Sequence, residues 1–306
     1  MRYLLLIGLL IPTLGWTQKN NFELGLHLDN DSFVSTFNDF YYTSGLFLFA
    51  NYSSSKSTSE KKIVHGFKIG QEIYNPREVK SFFPDDHNRP YAGYLFAEYN
   101  RTKMYASNRI IGMTFKLGVI GPDSKAADFQ EWMHTTFGFG EIMGWEQQIH
   151  NLLVIQFGLS YSKPIFNRIA SDKVDFHLLA ATEIGTAFSS VHIGTLVRIS
   201  LSKPLTSIQN SNYYNGLGTA IKEVYFFVSP KVNIQAYDAT IQGSMFNNES
   251  PVTFNLKPVR FNGEAGIKIK YYQYNLSCMF NYTSDEIKNS SAKGYFYGLI
   301  VGSYVF

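Results

Sequence analysis

The chain has 306 residues, a formal net charge of +3 and no basic run, which excludes a nucleic-acid partner recruited by charge. Cys278 is its single cysteine, so an intrachain disulfide and a cysteine metal cluster are excluded as well. Aromatic residues make up 16% of the chain, against 17% for charged ones, a balance that suits strands better than helices.

The first eighteen residues, MRYLLLIGLLIPTLGWTQ, combine one basic residue, an apolar run from Leu4 to Leu14 and a more polar end, the pattern of a secretory signal. The run is well short of the roughly 18 residues a helix needs to cross a bilayer, and Pro12 interrupts it. Residues 19–306 are then expected to form one domain.

Hydropathy along that domain alternates with period two. Phe22, Leu24, Leu26 and Leu28 share a face, as do Ile111, Met113, Phe115, Leu117 and Val119, and later Tyr272, Tyr274, Leu276, Cys278, Phe280 and Tyr282. The opposite faces carry charges of both signs, and Tyr272 and Tyr282 close the two ends of an apolar stripe, as an aromatic girdle does. A soluble sandwich with a polar outside would also alternate. The prediction is an all-β, twelve-stranded antiparallel transmembrane β-barrel with a short helix in an external loop. Its strands lie near 22–30, 41–54, 61–74, 91–104, 107–120, 147–162, 173–187, 190–202, 222–236, 257–270, 272–284 and 294–306. With both termini in the periplasm, residues 31–40, 75–90 and 121–146 become external loops. Residues 203–221 are the exception, a long loop on the side of short turns, which puts the strands around it in question.

Four polar groups meet at the outer rim of this drawing. Asn30 and Asp31 end the first strand, where their oxygens suit Ca2+, although an Asx turn would explain them equally. By parity Asn30 belongs with Leu24 and Leu26 on the lipid side. Thr43, on the face of Phe47 and Phe49, could lend a hydroxyl, and Ser44 lacks the elbow of a serine nucleophile. The third loop holds Arg77, Lys80, Asp85, Asp86, His87 and Arg89, a mixed cluster able to grip phosphate or simply solvated. The fourth group is the segment GPDSKAADFQEWMHTTFGFG, which reads as a helix capped by Asp123 or Ser124 and ended by Gly138. Phe129, Trp132, Met133 and Phe137 would form its apolar stripe, with Gln130 and His134 one turn apart beside it. His27, His177, Glu23, Lys68, Lys116, Glu264 and Lys268 fall on lumenal faces, where pairing inside a filled barrel is the simpler role.

NDS at 30–32, YYTSG at 41–45, GQEIYNP at 70–76, NRPYAGYLF at 88–96, GPD at 121–123 with Gln130 and His134, and GWEQQI at 144–149 follow one another in order. Together they resemble the outer-membrane lipid A 3'-O-deacylase family. The matches cover the first half of the mature chain, and the second half matches only as barrel. The resemblance implies a monomeric barrel in the bacterial outer membrane that acts on lipid A in lipopolysaccharide. It further implies calcium-dependent hydrolysis of the ester of the 3'-linked acyloxyacyl chain by water, in a site between wall and loop helix. Residue by residue, His134 falls on the family's catalytic histidine, Asn30 and Asp31 on its acidic-amide pair and Thr43 on its site threonine. The family's site lysine has no direct counterpart: the count lands on Ser81, with Lys80 one residue away. Lys80, Gln130 and Arg89 are the expected substrate contacts. His134 would take the proton of the attacking water, and Ca2+ near Asn30 and Asp31 would polarise the carbonyl. A Ser44-dependent phospholipase and a catalytically silent barrel or porin are the competing readings.

Overall fold

The computed structural model of the protein describes residues 21–34, 41–58, 60–138, 140–166, 172–202, 204–288 and 293–306. The expected signal, residues 1–18, lies outside them. Twelve strands close into one antiparallel barrel: β1 (Phe22–Asn30), β2 (Tyr41–Ser53), β3 (Lys61–Asn75), β4 (Ala92–Tyr105), β5 (Ile110–Ile120), β6 (Leu152–Pro164), β7 (Val174–Gly185), β8 (Phe188–Ser200), β9 (Lys222–Asp238), β10 (Val259–Tyr271), β11 (Tyr274–Ser284) and β12 (Gly294–Val305). Each pairs with its sequence neighbours, and β1 pairs with β12 to remove the free edges. Among the described residues there are two helices, α1 (Ala126–Phe137) and α2 (Ala239–Gln242).

Alternation decides which side each residue faces. On β6, Leu153, Ile155, Phe157 and Leu159 are exposed while Val154 and Gln156 are buried. On β11, Tyr274, Leu276 and Phe280 are exposed, and Asn275, Ser277 and Thr283 are buried. The exposed apolar rows run around the barrel as a belt, which in water would be an extensive liability and in lipid is the required surface. No helix among the described residues is long and apolar enough to cross a membrane, so crossing falls to the strands.

The expected strand starts at 91, 107, 147, 257 and 272 move inward by local turn chemistry. Residues 145–147 form a 3-10 turn, Trp145–Gln147, so β6 begins only at Leu152. Tyr272 adopts a left-handed φ of 53° between β10 and β11, which takes it out of the girdle position and leaves Tyr274 as the strand's first residue. The strands expected at 173–187, 190–202 and 222–236 stand at 174–185, 188–200 and 222–238, so the long 203–221 connection is real.

That connection is not a loop in water. Leu205 and Ile208 are buried inside the barrel with Met104, Ile110, Leu196, Tyr225 and Phe227, and Tyr213 packs against the same cluster. Leu217 joins Val64 and Val305. The Gly216 N–H donates to Glu23 Oε2 at 2.8 Å. The ammonium groups of Lys62 and Lys270 donate to the carbonyls of Leu217 and Gly216. Residues 204–221 thus plug the periplasmic end, and the walls of the lumen above carry ion pairs. Lys68 and Lys116 each lie 3.6 Å from Glu98, and Lys231 lies 3.0 Å from Glu264.

Candidate active site

Pairing register draws one row of outward positions across four strands at the outer rim. Asn30 stands opposite Ser44, Ser44 opposite Ile73, and Ile73 opposite Gly93. The β1 end of the row is polar. Asn30 ends the strand, and its Oδ1 accepts from the Ser32 N–H at 2.8 Å and from the Ser32 hydroxyl. Asp31 opens a 3-10 turn, Asp31–Phe33, with its side chain buried. The turn lies over β12, where a Cβ on Gly298 would collide with Phe33.

A β-bulge follows on β2. Tyr42 pairs with Tyr74 and Ser44 with Ile73, so Thr43 is an inserted residue with no cross-strand partner. This corrects the simple parity that groups Thr43 with Phe47 and Phe49. The Thr43 side chain is buried, and its Oγ1 has no hydrogen-bond partner among the described residues. Ser44 makes no hydrogen bond to a histidine among the described residues.

At the other end of the row sits α1. The Gly121 N–H donates to the Gly93 carbonyl at 2.9 Å, and Gln71 Nε2 donates to the Ser124 carbonyl at 2.6 Å. Gly93 lacks a Cβ for a reason: one there would strike Ser124 Oγ and Ala126 Cβ. The helix therefore rests on the outside of β3 and β4, with Ala126 packed against Ile73, Tyr91 and Trp145. Its N-cap is Lys125 in left-handed geometry rather than Asp123 or Ser124, because a 3-10 turn, Pro122–Ser124, precedes it. Gly138 ends it as expected, donating to the His134 carbonyl at 2.8 Å with φ of 76°. The expected apolar stripe splits. Phe129 packs inward, whereas Trp132 and Phe137 are 58% and 59% exposed.

His134 is partly exposed, and its Nδ1 lies 2.9 Å from the Gly140 carbonyl. A carbonyl oxygen only accepts, so Nδ1 carries the proton of this contact and Nε2 is the other ring nitrogen. Gln130 is buried, and its Oε1 accepts from Trp145 Nε1 at 2.9 Å. That bond makes Gln130 the tie between α1 and the Trp145–Gln147 turn. The third loop is laced to the same segment: Met143 N donates to the Val79 carbonyl at 2.8 Å, and the Tyr91 hydroxyl to the Met143 carbonyl at 2.7 Å. Lys80, next to Val79, is exposed and forms no ion pair among the described residues. Ser81 is committed within its loop, its hydroxyl donating to Asp86 Oδ2 at 2.5 Å and its backbone carbonyl lying 3.0 Å from His87 Nε2.

Arg89 corrects the expectation of a substrate contact. It is fully buried, donates to Thr240 Oγ1 at 3.0 Å, lies 3.7 Å from Glu286 and stacks over Tyr74 at 4.4 Å. Glu286 also pairs with Arg260, as does Asp238, so Arg89 belongs to an interior charge cluster at the outer end of the barrel. Trp145 and Gly93 are the residues that sequence reasoning passed over. Both lay inside quoted motifs, but a tryptophan in an expected loop and a glycine in a strand start gave no sign of the helix they receive.

No group of three or more His, Cys, Asp and Glu side chains able to hold a metal occurs among the described residues. What the β1 end offers a cation is oxygen: Asn30 Oδ1, the Asp31 carboxylate, the partnerless Thr43 hydroxyl and nearby carbonyls. That donor set fits a hard ion such as Ca2+ and not zinc.

A closed twelve-stranded barrel with an apolar belt, a plugged lumen and a helix fixed to its outer rim defines an integral β-barrel of the outer-membrane class. The family model described as "Outer membrane protein LpxR" matches residues 3–306, and the chain belongs to the LpxR family of outer-membrane proteins. Among solved structures, LpxR from Salmonella typhimurium matches with a TM-score of 0.74 at 19% identity, covering 93% of this chain and 100% of that one. The β domain of the Bordetella autotransporter BrkA follows at a TM-score of 0.49 and 10% identity, covering 94% and 99%. Comparison with curated protein sequences finds no significant match.

Proposed function

We propose that this protein is a lipid A 3'-O-deacylase, a carboxylic ester hydrolase in which His134 activates water. One observation carries the reading: the Nδ1 contact to Gly140 fixes the imidazole so that Nε2 is the basic atom, on a helix mounted outside the barrel wall. Family membership and the ordered motifs supply the substrate class. The helix supports a shared site by its dimensions. Its run from Ala126 to His134 is about 12 Å, comparable with the roughly 14 Å from β4 to β1 along the row at the rim.

In this reading the acyl ester enters between α1 and the row formed by Asn30, Ser44 and Ile73, from the lipid side. His134 Nε2 accepts a proton from water as it attacks the ester carbonyl, then returns it to the departing sugar oxygen. The contact with Gly140 keeps the ring in the needed tautomer throughout. Thr43 Oγ1 and the oxygens of Asn30 and Asp31 would hold a hard cation at this end of the site. Ca2+ there would supply the charge that stabilises the oxyanion. Lys80 is free to meet a phosphate of the substrate. The test is incubation of the purified barrel with hexa-acylated lipid A, with calcium and with chelator, followed by mass spectrometry. Calcium-dependent loss of the acyloxyacyl mass is the expected result; no loss from several lipid A types would overturn the assignment.

A further inference from the structure

Far from the rim, the wall of β3 and β4 carries a second unexplained group of side chains. Arg101 stands near the periplasmic end of β4, opposite His65 on β3 and Met113 on β5. Lys103 follows two positions on, so its side chain shares Arg101's outward face. Neither Arg101 nor Lys103 forms an ion pair among the described residues, and Arg101 Nε is buried without a hydrogen-bond partner there. The floor around them is aromatic. Tyr52 stacks on His65 with centroids 4.8 Å apart and planes at 9°, and the Tyr99 hydroxyl lies 2.7 Å from His65 Nδ1. Phe67 lies 5.3 Å from Tyr99. Level with Arg101 on β5 and β6 the wall is apolar, with Met113 and Leu159 exposed to lipid.

Uncompensated cations on a lipid-facing wall are unfavourable unless something anionic meets them, and the depth says what is available. Tyrosines mark the interface, and the short 106–109 turn marks the periplasmic side. We propose that Arg101, Lys103 and the Tyr52–His65–Tyr99 group form a binding site for the phosphate of a phospholipid in the periplasmic leaflet. The guanidinium donates two parallel hydrogen bonds to phosphate oxygens, the ammonium supplies a second charge, and the aromatic floor receives the glycerol and first acyl methylenes. The site is independent of the rim chemistry, since it lies at the opposite end of the same strands.

The test uses the full-length barrel in detergent, delipidated and then titrated with phosphatidylglycerol, dioleoylglycerol or lipid A, with bound lipid counted by native mass spectrometry. Wild type is expected to retain phosphatidylglycerol and not dioleoylglycerol, and lipid A is expected not to displace it. Arg101→Gln with Lys103→Gln should weaken retention about tenfold or more, the loss of charge-assisted hydrogen bonds, while Lys163→Gln leaves it unchanged. Arg101→Lys, which keeps the charge and the barrel, should weaken it less and reports if the double variant does not fold. Equal retention of dioleoylglycerol, unchanged retention in the folded variants, or displacement by lipid A would each overturn the proposal.

Discussion

The outer rim at β1–β4 and the periplasmic plug are both built from irregular chain held against regular strands, yet they are finished differently. The plug turns its apolar residues Leu205, Ile208 and Leu217 inward and ties its backbone to Glu23, Lys62 and Lys270. The rim leaves Trp132, Phe137, Phe82 and Phe83 exposed, with a buried Thr43 hydroxyl that nothing in the described structure satisfies. A segment that seals commits its backbone and most of its apolar side chains internally. One that must receive a substrate retains groups for it, at a cost in local stability.

The sharpest way to break this contrast is at His134. His134→Ala should lower lipid A deacylation by roughly 100- to 10,000-fold while heat-modifiable mobility on gels stays that of a folded barrel. If ester cleavage persists near the wild-type rate, the rim is not the catalytic region. A step smaller, Trp145→Ala removes the Gln130 hydrogen bond and a buried aromatic, a loss of about 3–5 kcal/mol that should fall on α1 and its loop. Limited proteolysis should then cut within 121–151 while the barrel stays resistant; resistance throughout would show that the helix does not depend on this tie.

The plug is expected to respond in the opposite way. Pairing Glu23→Ala with Lys270→Ala removes charge-assisted hydrogen bonds worth roughly 1.5–3 kcal/mol each. Planar-bilayer conductance should appear with deacylation unaffected, and a silent bilayer would mean the apolar cluster alone holds the plug. The smallest effect separates the two regions within one side chain. Thr43→Val deletes a partnerless hydroxyl, so stability should be unchanged or higher by up to about 1–2 kcal/mol, whereas activity should fall. A fall in stability as well would make the hydroxyl structural.

Much of this was legible in the chain because strands on a lipid boundary obey period two almost without exception. β1, β2 and β3 lie close to where alternation placed them. The 203–221 segment was the informative failure. Its leucines and isoleucines do not alternate, so the pattern could only register an anomaly, and the burial that explains it comes from buried side chains contributed by six of the strands. At the rim, Asn30, Asp31, Thr43 and His134 could be nominated from motif order, but the helix N-cap, the fate of Arg89 and the split of the apolar stripe depend on tertiary contacts. Arg89 reads as a surface cation in a loop of charges. Only the arrival of Thr240 and Glu286, more than a hundred residues later, shows it to be interior.

The inserted Thr43 has a further consequence for β2. Tyr42 and Ser44 are two apart and would ordinarily face the same compartment, yet Tyr42 donates to Asp29 within the lumen at 2.7 Å while Ser44 stands beside Asn30 on the wall. The bulge acts as a half-wavelength delay line. It lets the same strand anchor the interior at its first turn and stay in phase with the lipid for the rest of its length. Deleting this one residue would leave the hydrogen-bond ladder regular and force a choice between the two.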